Sequence, residues 1–356
     1  MKAKALRDLP SVTVLMPTYN ADQYLRQSIE SILCQSLNQF EFLIVDDGST
    51  DNSGDIISEY GVRDSRIRCV RQENRGLIDT LNRGLRLASH PLVARMDADD
   101  ISKPDRLSRQ LKFMLDHDDV AVVGCQIRRL LPDGSLTEPS NLPESVDSDD
   151  PQVVHPTAMM RRDAILALGG YRPFFTHAED ADLWFRVSER WKMANIDYDG
   201  YVYRMHDTQI SKTWQVDQNR KTIYARWARD LRRATGKDMF DELSSSNSDR
   251  ANFEILKRTA GTRRGAPTVS QLRCDLLHST YANVSECGST IEIIRTIVDI
   301  FRFTRRPFYY LEEISFHLGR RYNRTRAPIN SHTALYIFLR TCIFISKTLA
   351  PPSEKF

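Results

Sequence analysis

Between residues 12 and 124, short apolar runs alternate with amphipathic segments, and this alternation confines the chain to a largely parallel sheet covered by helices on both faces. Val12–Met16 reads as a strand stopped by Pro17, and Asp22–Gln35 then places Leu25, Ile29, Ile32 and Leu33 on one helical face. Glu41–Val45 is a second strand, with a helix predicted over Asp55–Tyr60. Arg66–Val70 is a third, followed by a helix over Leu77–Ala88. Leu92–Met96 is the fourth, Pro104 opens a helix running to about Asp116, and Val120–Gly124 is the fifth.

Sheets of this kind take ligands beyond the carboxyl ends of their strands. Three polar segments fall at those ends: Pro17-Thr18-Tyr19-Asn20, Asp46-Asp47-Gly48-Ser49, and Asp97-Ala98-Asp99-Asp100. The last holds three carboxylates within four residues. Such a density repels itself unless a cation sits among the oxygens, and hard divalent ions such as Mn²⁺ or Mg²⁺ prefer oxygen ligands. Asp is also frequent in turns, but three independent turns would not fall at three strand ends that converge on one crevice.

Beyond Gly124 the pattern loosens. Residues 132–151, with the acidic patch Asp147-Ser148-Asp149-Asp150, read as a solvated loop. His155–Arg161 reads as a strand, Asp163–Leu168 as a short helix, and Glu179–Trp191 as a helix with Leu183, Trp184, Val187 and Trp191 on one face. Net charge is +3 overall, yet residues 1–215 carry 26 Lys+Arg against 33 Asp+Glu and residues 216–356 carry 24 against 14. The split suggests two regions, 10–215 and 216–356, the second basic, mainly helical and facing something anionic. Six scattered cysteines without C-x-x-C spacing argue against a zinc site or a disulfide framework, so a reducing compartment is expected. The apolar stretch Val12–Met16 is too short for a signal-peptide core, and a cytoplasmic protein is expected.

Val12–Asn20, Val45-Asp46-Asp47-Gly48-Ser49-Thr50-Asp51, Asn74-Arg75-Gly76, Asp97-Ala98-Asp99, Gly169-Gly170-Tyr171 and Glu179-Asp180 occur in the order seen in family 2 glycosyltransferases. The set resembles that family over about residues 10–215. The resemblance implies a GT-A fold, a nucleotide-diphosphate sugar donor, a divalent metal, Mn²⁺ or Mg²⁺, and inversion at the anomeric carbon. It implies UDP as the nucleotide, with dTDP and GDP open.

Under that resemblance Asp99 binds the metal and Asp97 faces the ribose or the metal, with Asp100 a turn residue. Asp47 accepts from a base imide N–H, and Asp46 is the lesser partner or a capping carboxylate. Pro17 and Thr18 contact the base; Tyr19 packs nearby or in the core. Asn74-Arg75-Gly76 offers helix N-terminal N–H groups to a diphosphate or base, or is only a cap. Arg95 and Arg106 are expected to pair with neighbouring carboxylates. His206 stands where related enzymes carry a histidine that meets the metal or diphosphate. Asp180 would be the base, kept ionised by the helix N-terminus, with Glu179 orienting the acceptor and Asp182 a close competitor. His155 is expected to be a buried structural histidine, and Trp184 a core residue.

In residues 291–310 and 333–349, aromatic and aliphatic residues interleave with Arg and Lys. Helices of this composition lie on an anionic membrane surface, here the inner face of the cell membrane, or pack on the catalytic region or form a dimer contact. No nucleic-acid motif is present, so no nucleic-acid partner is expected. The leading expectation is a metal-dependent glycosyltransferase acting on a saccharide or lipid-linked acceptor in surface polysaccharide or glycolipid biosynthesis. A second is a non-catalytic nucleotide-sugar-binding scaffold subunit. A sugar nucleotidyltransferase would need a Gly-rich phosphate loop after the first strand, and Pro17-Thr18-Tyr19-Asn20 is not one.

Overall fold

The structure, a computed structural model, describes residues 12–206, 214–236 and 238. They fall in two compact units, one up to Trp214 and one from Gln215. The first unit is built on an eight-stranded sheet. Its strands are β1 (Val12–Thr18), β2 (Phe40–Asp46), β3 (Ile67–Arg71), β4 (Leu92–Arg95), β5 (Ile101–Ser102), β6 (Val120–Leu130), β7 (Met159–Arg161) and β8 (Lys192–Arg204). They lie in the order β3-β2-β1-β4-β7-β6-β8-β5. The pairs β1/β2, β1/β4, β2/β3 and β6/β8 are parallel; β7 runs antiparallel between β4 and β6, and β5 antiparallel to β8.

Side chains alternate across each strand, so the sheet buries two cores. On one face Val12, Val14, Met16, Phe42 and Ile44 meet α1 (Asp22–Leu33), α2 (Ser53–Arg63) and α4 (Arg106–Asp116). On the other, Leu15, Leu43, Val45 and Val93 meet α3 (Leu77–Leu87), α5 (Arg162–Ala167) and α6 (Glu179–Ser188). Each fully buried Leu, Ile or Phe contributes about 1.5–3 kcal/mol relative to exposure. The helix α3 lies close on β1 because Gly84 faces Leu15: a Cβ there would stand 2.3 Å from Leu15 Cδ1.

Four expectations need correction. The helix predicted to Trp191 ends at Ser188, and His155–Thr157 is a single 3-10 turn that leaves only Met159–Arg161 as strand. β8 was not anticipated, because Asp197, Asp199 and Gly200 interrupt its apolar pattern and its pairing with β6 carries register shifts. β6 also continues to Leu130 rather than ending at Gly124.

In the second unit α7 (Gln215–Thr235) is described, with Tyr224, Ala225, Trp227, Ala228 and Leu231 buried. The basic stretches 291–310 and 333–349 lie outside the described residues. Among the described residues, no helix is long and apolar enough to cross a membrane.

Candidate active site

The carboxyl ends of β1 and β2 form one wall. Thr18 and Asp46 face each other in register, and Asp47 N–H donates to the Thr18 carbonyl (2.8 Å). Thr18 Oγ1 is buried without a hydrogen-bond partner among the described residues. Asp46 Oδ1 accepts from Ser49 N–H (2.9 Å), and its Oδ2 lies 3.4 Å from Arg71 Nε. Asn20, with φ +48°, ties the two strand ends together: its N–H donates to Ser49 Oγ (3.0 Å), and its Oδ1 accepts from Thr50 N–H (2.8 Å). Pro17 is buried, but Tyr19 is half exposed, which removes the core reading of that ring.

Asp47 organises the next loop. Its Oδ1 accepts from Gln72 Nε2 (2.7 Å) and Arg75 N–H (2.9 Å), and its Oδ2 from Gly76 N–H (2.8 Å). The donors expected to be open for a diphosphate at Asn74-Arg75-Gly76 are therefore partly spent on Asp47; Asn74 and Gly76 themselves are exposed. Gly48 makes this turn achievable: its φ is +74°, and a Cβ there would sit 2.8 Å from Asn74 N.

The acidic cluster lies past the end of β4. Among the described residues, Asp97, Asp99 and Asp100 bring ligand oxygens within 4.8 Å of one another. Both oxygens of Asp97 are held by Arg95, Nη1 to Oδ2 at 2.9 Å and Nη2 to Oδ1 at 2.8 Å. Asp99 Oδ2 is 2.9 Å from His206 Nε2. Asp100 is not the plain turn residue expected from the sequence. It is buried, its Oδ1 accepts from Arg204 N–H (2.8 Å), and its Oδ2 has no hydrogen-bond partner among the described residues. The carboxyl end of β8 completes the clasp: the Tyr201 hydroxyl accepts from Asp97 N–H (3.2 Å), and Arg204 Nε donates to the Asp99 carbonyl (2.8 Å).

This donor set fits a hard divalent ion. Burial, followed by the charges of Asp97 and Asp99, pushes Asp100 well above the usual carboxylate range. Burial also raises Asp97, against the pull of Arg95. A cation among the oxygens relieves both penalties. Arg106 meets expectation only in part: it is buried, its Nε donates to Gln110 Oε1 (3.1 Å), and its guanidinium lies over the Tyr201 ring at 5.1 Å rather than gripping a carboxylate.

The third wall is the start of α6. Glu179 is 7% exposed and Asp180 half-buried, with Asp180 Oδ1 accepting from Ala181 N–H (2.8 Å). Burial raises Asp180, so desolvation outweighs the helix N-terminus that was expected to keep it readily ionised. Burial and the charge of Asp180 push Glu179 up to about 7. The competitor Asp182 is fully buried, gripped by Arg172 and by Arg186 (Nη2 to Oδ2 2.7 Å), so it braces the helix instead of facing the crevice. Beneath the pair, His155 Nε2 and the Tyr171 hydroxyl are 2.8 Å apart; burial and then Arg95 keep the imidazole well below its ordinary pKa, hence neutral. Trp184 is buried and its Nε1–H donates to the Val153 carbonyl (3.0 Å). His177, at φ +74°, stacks on the half-exposed Trp214 at 4.7 Å.

The comparisons with known proteins agree with this construction. Residues 13–168 match the profile of the family described as "Glycosyl transferase family 2". The chain is 31% identical over 225 residues to the O-antigen biosynthesis glycosyltransferase WbnJ of Escherichia coli, covering 59% of this chain and 85% of that one. It is 36% identical over 194 residues to the EpsE protein of Bacillus subtilis (strain 168), covering 51% and 67%. Among solved structures, S. aureus TarS 1-349 in complex with UDP superposes with a TM-score of 0.54 at 16% identity, over 97% of this chain and 94% of that one. The mannosyltransferase PcManGT of Pyrobaculum calidifontis, in complex with GDP-Man and Mn²⁺, gives 0.52 at 16%, over 96% and 87%. The sheet order, the flanking helices and these likenesses identify the fold as GT-A, and the chain belongs to glycosyl transferase family 2: it is a glycosyltransferase.

Proposed function

We propose that this glycosyltransferase is metal-dependent and inverting, and that it moves a sugar from a nucleotide-diphosphate donor, a UDP-sugar by preference, to a hydroxyl of a saccharide or lipid-linked acceptor in surface polysaccharide or glycolipid assembly. The observation that carries this reading is the clustering of charge: Asp97, Asp99 and Asp100 share one ligand-sized space, and Asp97 acts electrostatically on both Glu179 and Asp180. A relative whose name places it in O-antigen biosynthesis supports the product class, and solved neighbours in complex with UDP or with GDP-Man and Mn²⁺ support donor and ion.

Asp99 and Asp97, joined by Asp100, would hold Mn²⁺ or Mg²⁺, with His206 beside Asp99 as a further ligand or a diphosphate contact. The ion would supply positive charge to the departing nucleoside diphosphate. Pro17, Thr18 and Tyr19 with Asp46 and Asp47 would receive the nucleotide, and Asn74 and Gly76 border it. Thr18 Oγ1 and Asp46 Oδ2, buried without a hydrogen-bond partner among the described residues, are polar groups there that a ligand atom would satisfy. Asp180 would take the acceptor proton, and its raised pKa makes it a stronger base than an exposed aspartate. Glu179 would orient the acceptor. With Asp182 committed to two arginines, Asp180 is left as the base and Glu179 as the acceptor-orienting carboxylate in this reading, which accords with single displacement.

The test is release of UDP from a panel of UDP-sugars, with GDP-mannose as the alternative donor, in the presence and absence of Mn²⁺. Metal-dependent release by the wild type, lost in Asp99→Ala and in Asp180→Asn, is the expected result. Release of equal rate in EDTA would overturn the metal assignment, and a fully active Asp180→Asn would overturn the base.

A further inference from the structure

One face of α1 is docked along the chain that follows the acidic cluster. Ser28 Oγ donates to the Asp100 carbonyl (2.7 Å), Ser31 Oγ accepts from Ser102 N–H (3.1 Å), and Gln35 Nε2, just past the helix, donates to the Lys103 carbonyl (2.8 Å). The start of the helix is tied to the loop after β2, where Ala21 N–H donates to Ser53 Oγ (2.9 Å) and Asp22 N–H to Asp51 Oδ2 (3.1 Å). Tyr24 stands one turn before Ser28 on the same face and is partly buried. Its ring is therefore carried by a helix that is fixed at both the cluster and the β2 loop.

The chain leaving β8 meets that ring twice. The Arg204 guanidinium lies over it, Cζ 4.5 Å from the centroid, while Nε donates to the Asp99 carbonyl (2.8 Å) and Nη2 to Gln27 Oε1. The Arg204 N–H donates to Asp100 Oδ1 (2.8 Å). Met205 N–H still donates to the Leu130 carbonyl at the end of β6 (2.9 Å), so the chain stays extended and Arg204 and His206 fall on one side of it. The His206 ring lies 5.3 Å from the Tyr24 ring at a tilt of 40°, with Nε2 2.9 Å from Asp99 Oδ2. One aromatic ring thus touches both the arginine that grips the main chain of Asp99 and the histidine that reaches its carboxylate. An imidazole turns about two side-chain bonds, and a wall of this kind removes the orientations that point away from Asp99, which lowers the ordering cost of ligation.

We propose that Tyr24 is a positioning residue of the cation site: its ring, carried by α1, seats His206 against Asp99 and so tightens the binding of a divalent ion. This rests on the reading of the cluster as the cation site. Tyr24 acts through His206 and is not itself a ligand in this role. Phenylalanine keeps the ring; leucine keeps an apolar side chain and loses the aromatic face.

The experiment is a Mn²⁺ titration of the full chain in the presence of UDP, read by the free-ion electron paramagnetic resonance signal, on wild type, Tyr24→Phe, Tyr24→Leu, His206→Ala, the Tyr24→Leu/His206→Ala double variant and Asp99→Ala, each folded by circular dichroism. Tyr24→Leu should raise the Mn²⁺ Kd about tenfold, the low end for a residue that orients a metal ligand, and His206→Ala by at least as much. Tyr24→Phe should stay within about twofold of wild type, since the ring face is retained. The double variant should bind no more weakly than His206→Ala alone, because the ring has then lost the group it seats. An unchanged Kd in Tyr24→Leu or in His206→Ala overturns the proposal. Equal weakening by Tyr24→Leu with and without His206 overturns it too, because a merely structural ring would disturb the cluster in either background. Undiminished Mn²⁺ binding by Asp99→Ala overturns the cation reading and this inference together, whereas binding lost in Asp99→Ala but unchanged in Tyr24→Leu overturns this inference alone.

Discussion

The two walls of the crevice are held by different forces. At the ends of β1 and β2, carboxylates and amides are satisfied mainly by main-chain N–H groups: Asp46 by Ser49, Asp47 by Arg75 and Gly76, Asn20 by Thr50. At the end of β4 and the start of α6 they are satisfied by arginine side chains close by in the chain: Asp97 by Arg95, Asp182 by Arg172 and Arg186. A wall of turns is rigid because the backbone must follow it. A wall of buried ion pairs is rigid only while each partner is present, since a lone charge left behind in a dry site is costly. The first suits the nucleotide proposed to bind there. The second lets charge be tuned where the proposed base and cation would lie.

This contrast can be broken by substitution. Asp180→Asn, at the proposed base, should lower transfer by about 10²–10⁴-fold while the protein stays folded; steady-state rates beside a thermal melt check both. Asp182→Ala should leave Arg172 and Arg186 facing an empty site and cost about 3–5 kcal/mol of stability, read by urea unfolding. A loss below about 1 kcal/mol, the range of a surface pair, would mean the acceptor wall is not held by that clamp.

On the nucleotide wall the effects should be smaller. Gly48→Ala places a Cβ at φ +74° against Asn74 N, and strain of about 1–3 kcal/mol should appear as lower stability with a raised donor KM, since the Asp47 loop must shift. Smallest is Tyr19→Ala: the half-exposed ring should change stability by less than about 0.5 kcal/mol, leaving any effect in donor KM. A large stability loss there would place the ring in a core, against its exposure.

The same division governs what the sequence discloses. The sequence signal of the β1/β2 wall is local: Asp46-Asp47-Gly48 at the end of an apolar run carries strand and turn chemistry in a few residues, although the partners of Asp47, at Gln72, Arg75 and Gly76, come from the loop after β3. The wall at β4 and α6 adds contacts made far across the chain. Asp100 looks like a turn residue until β8, whose pattern is interrupted at Asp197, Asp199 and Gly200, brings Tyr201 and Arg204 against it. Arg95 was readable as a partner of Asp97, two residues away, and the structure bears that pairing out. Asp182 and Asp180 are equivalent by spacing, and only the grip of Arg172 and Arg186 separates them.

The cluster beyond β4 is proposed to hold the cation the reaction needs. Titration of the full chain with Mn²⁺ in the presence of UDP, followed by the loss of the free-ion electron paramagnetic resonance signal, tests it without relying on turnover. The wild type should bind the ion saturably, and Asp99→Ala, folded by circular dichroism, should lose that binding. Undiminished Mn²⁺ binding by Asp99→Ala would contradict the account.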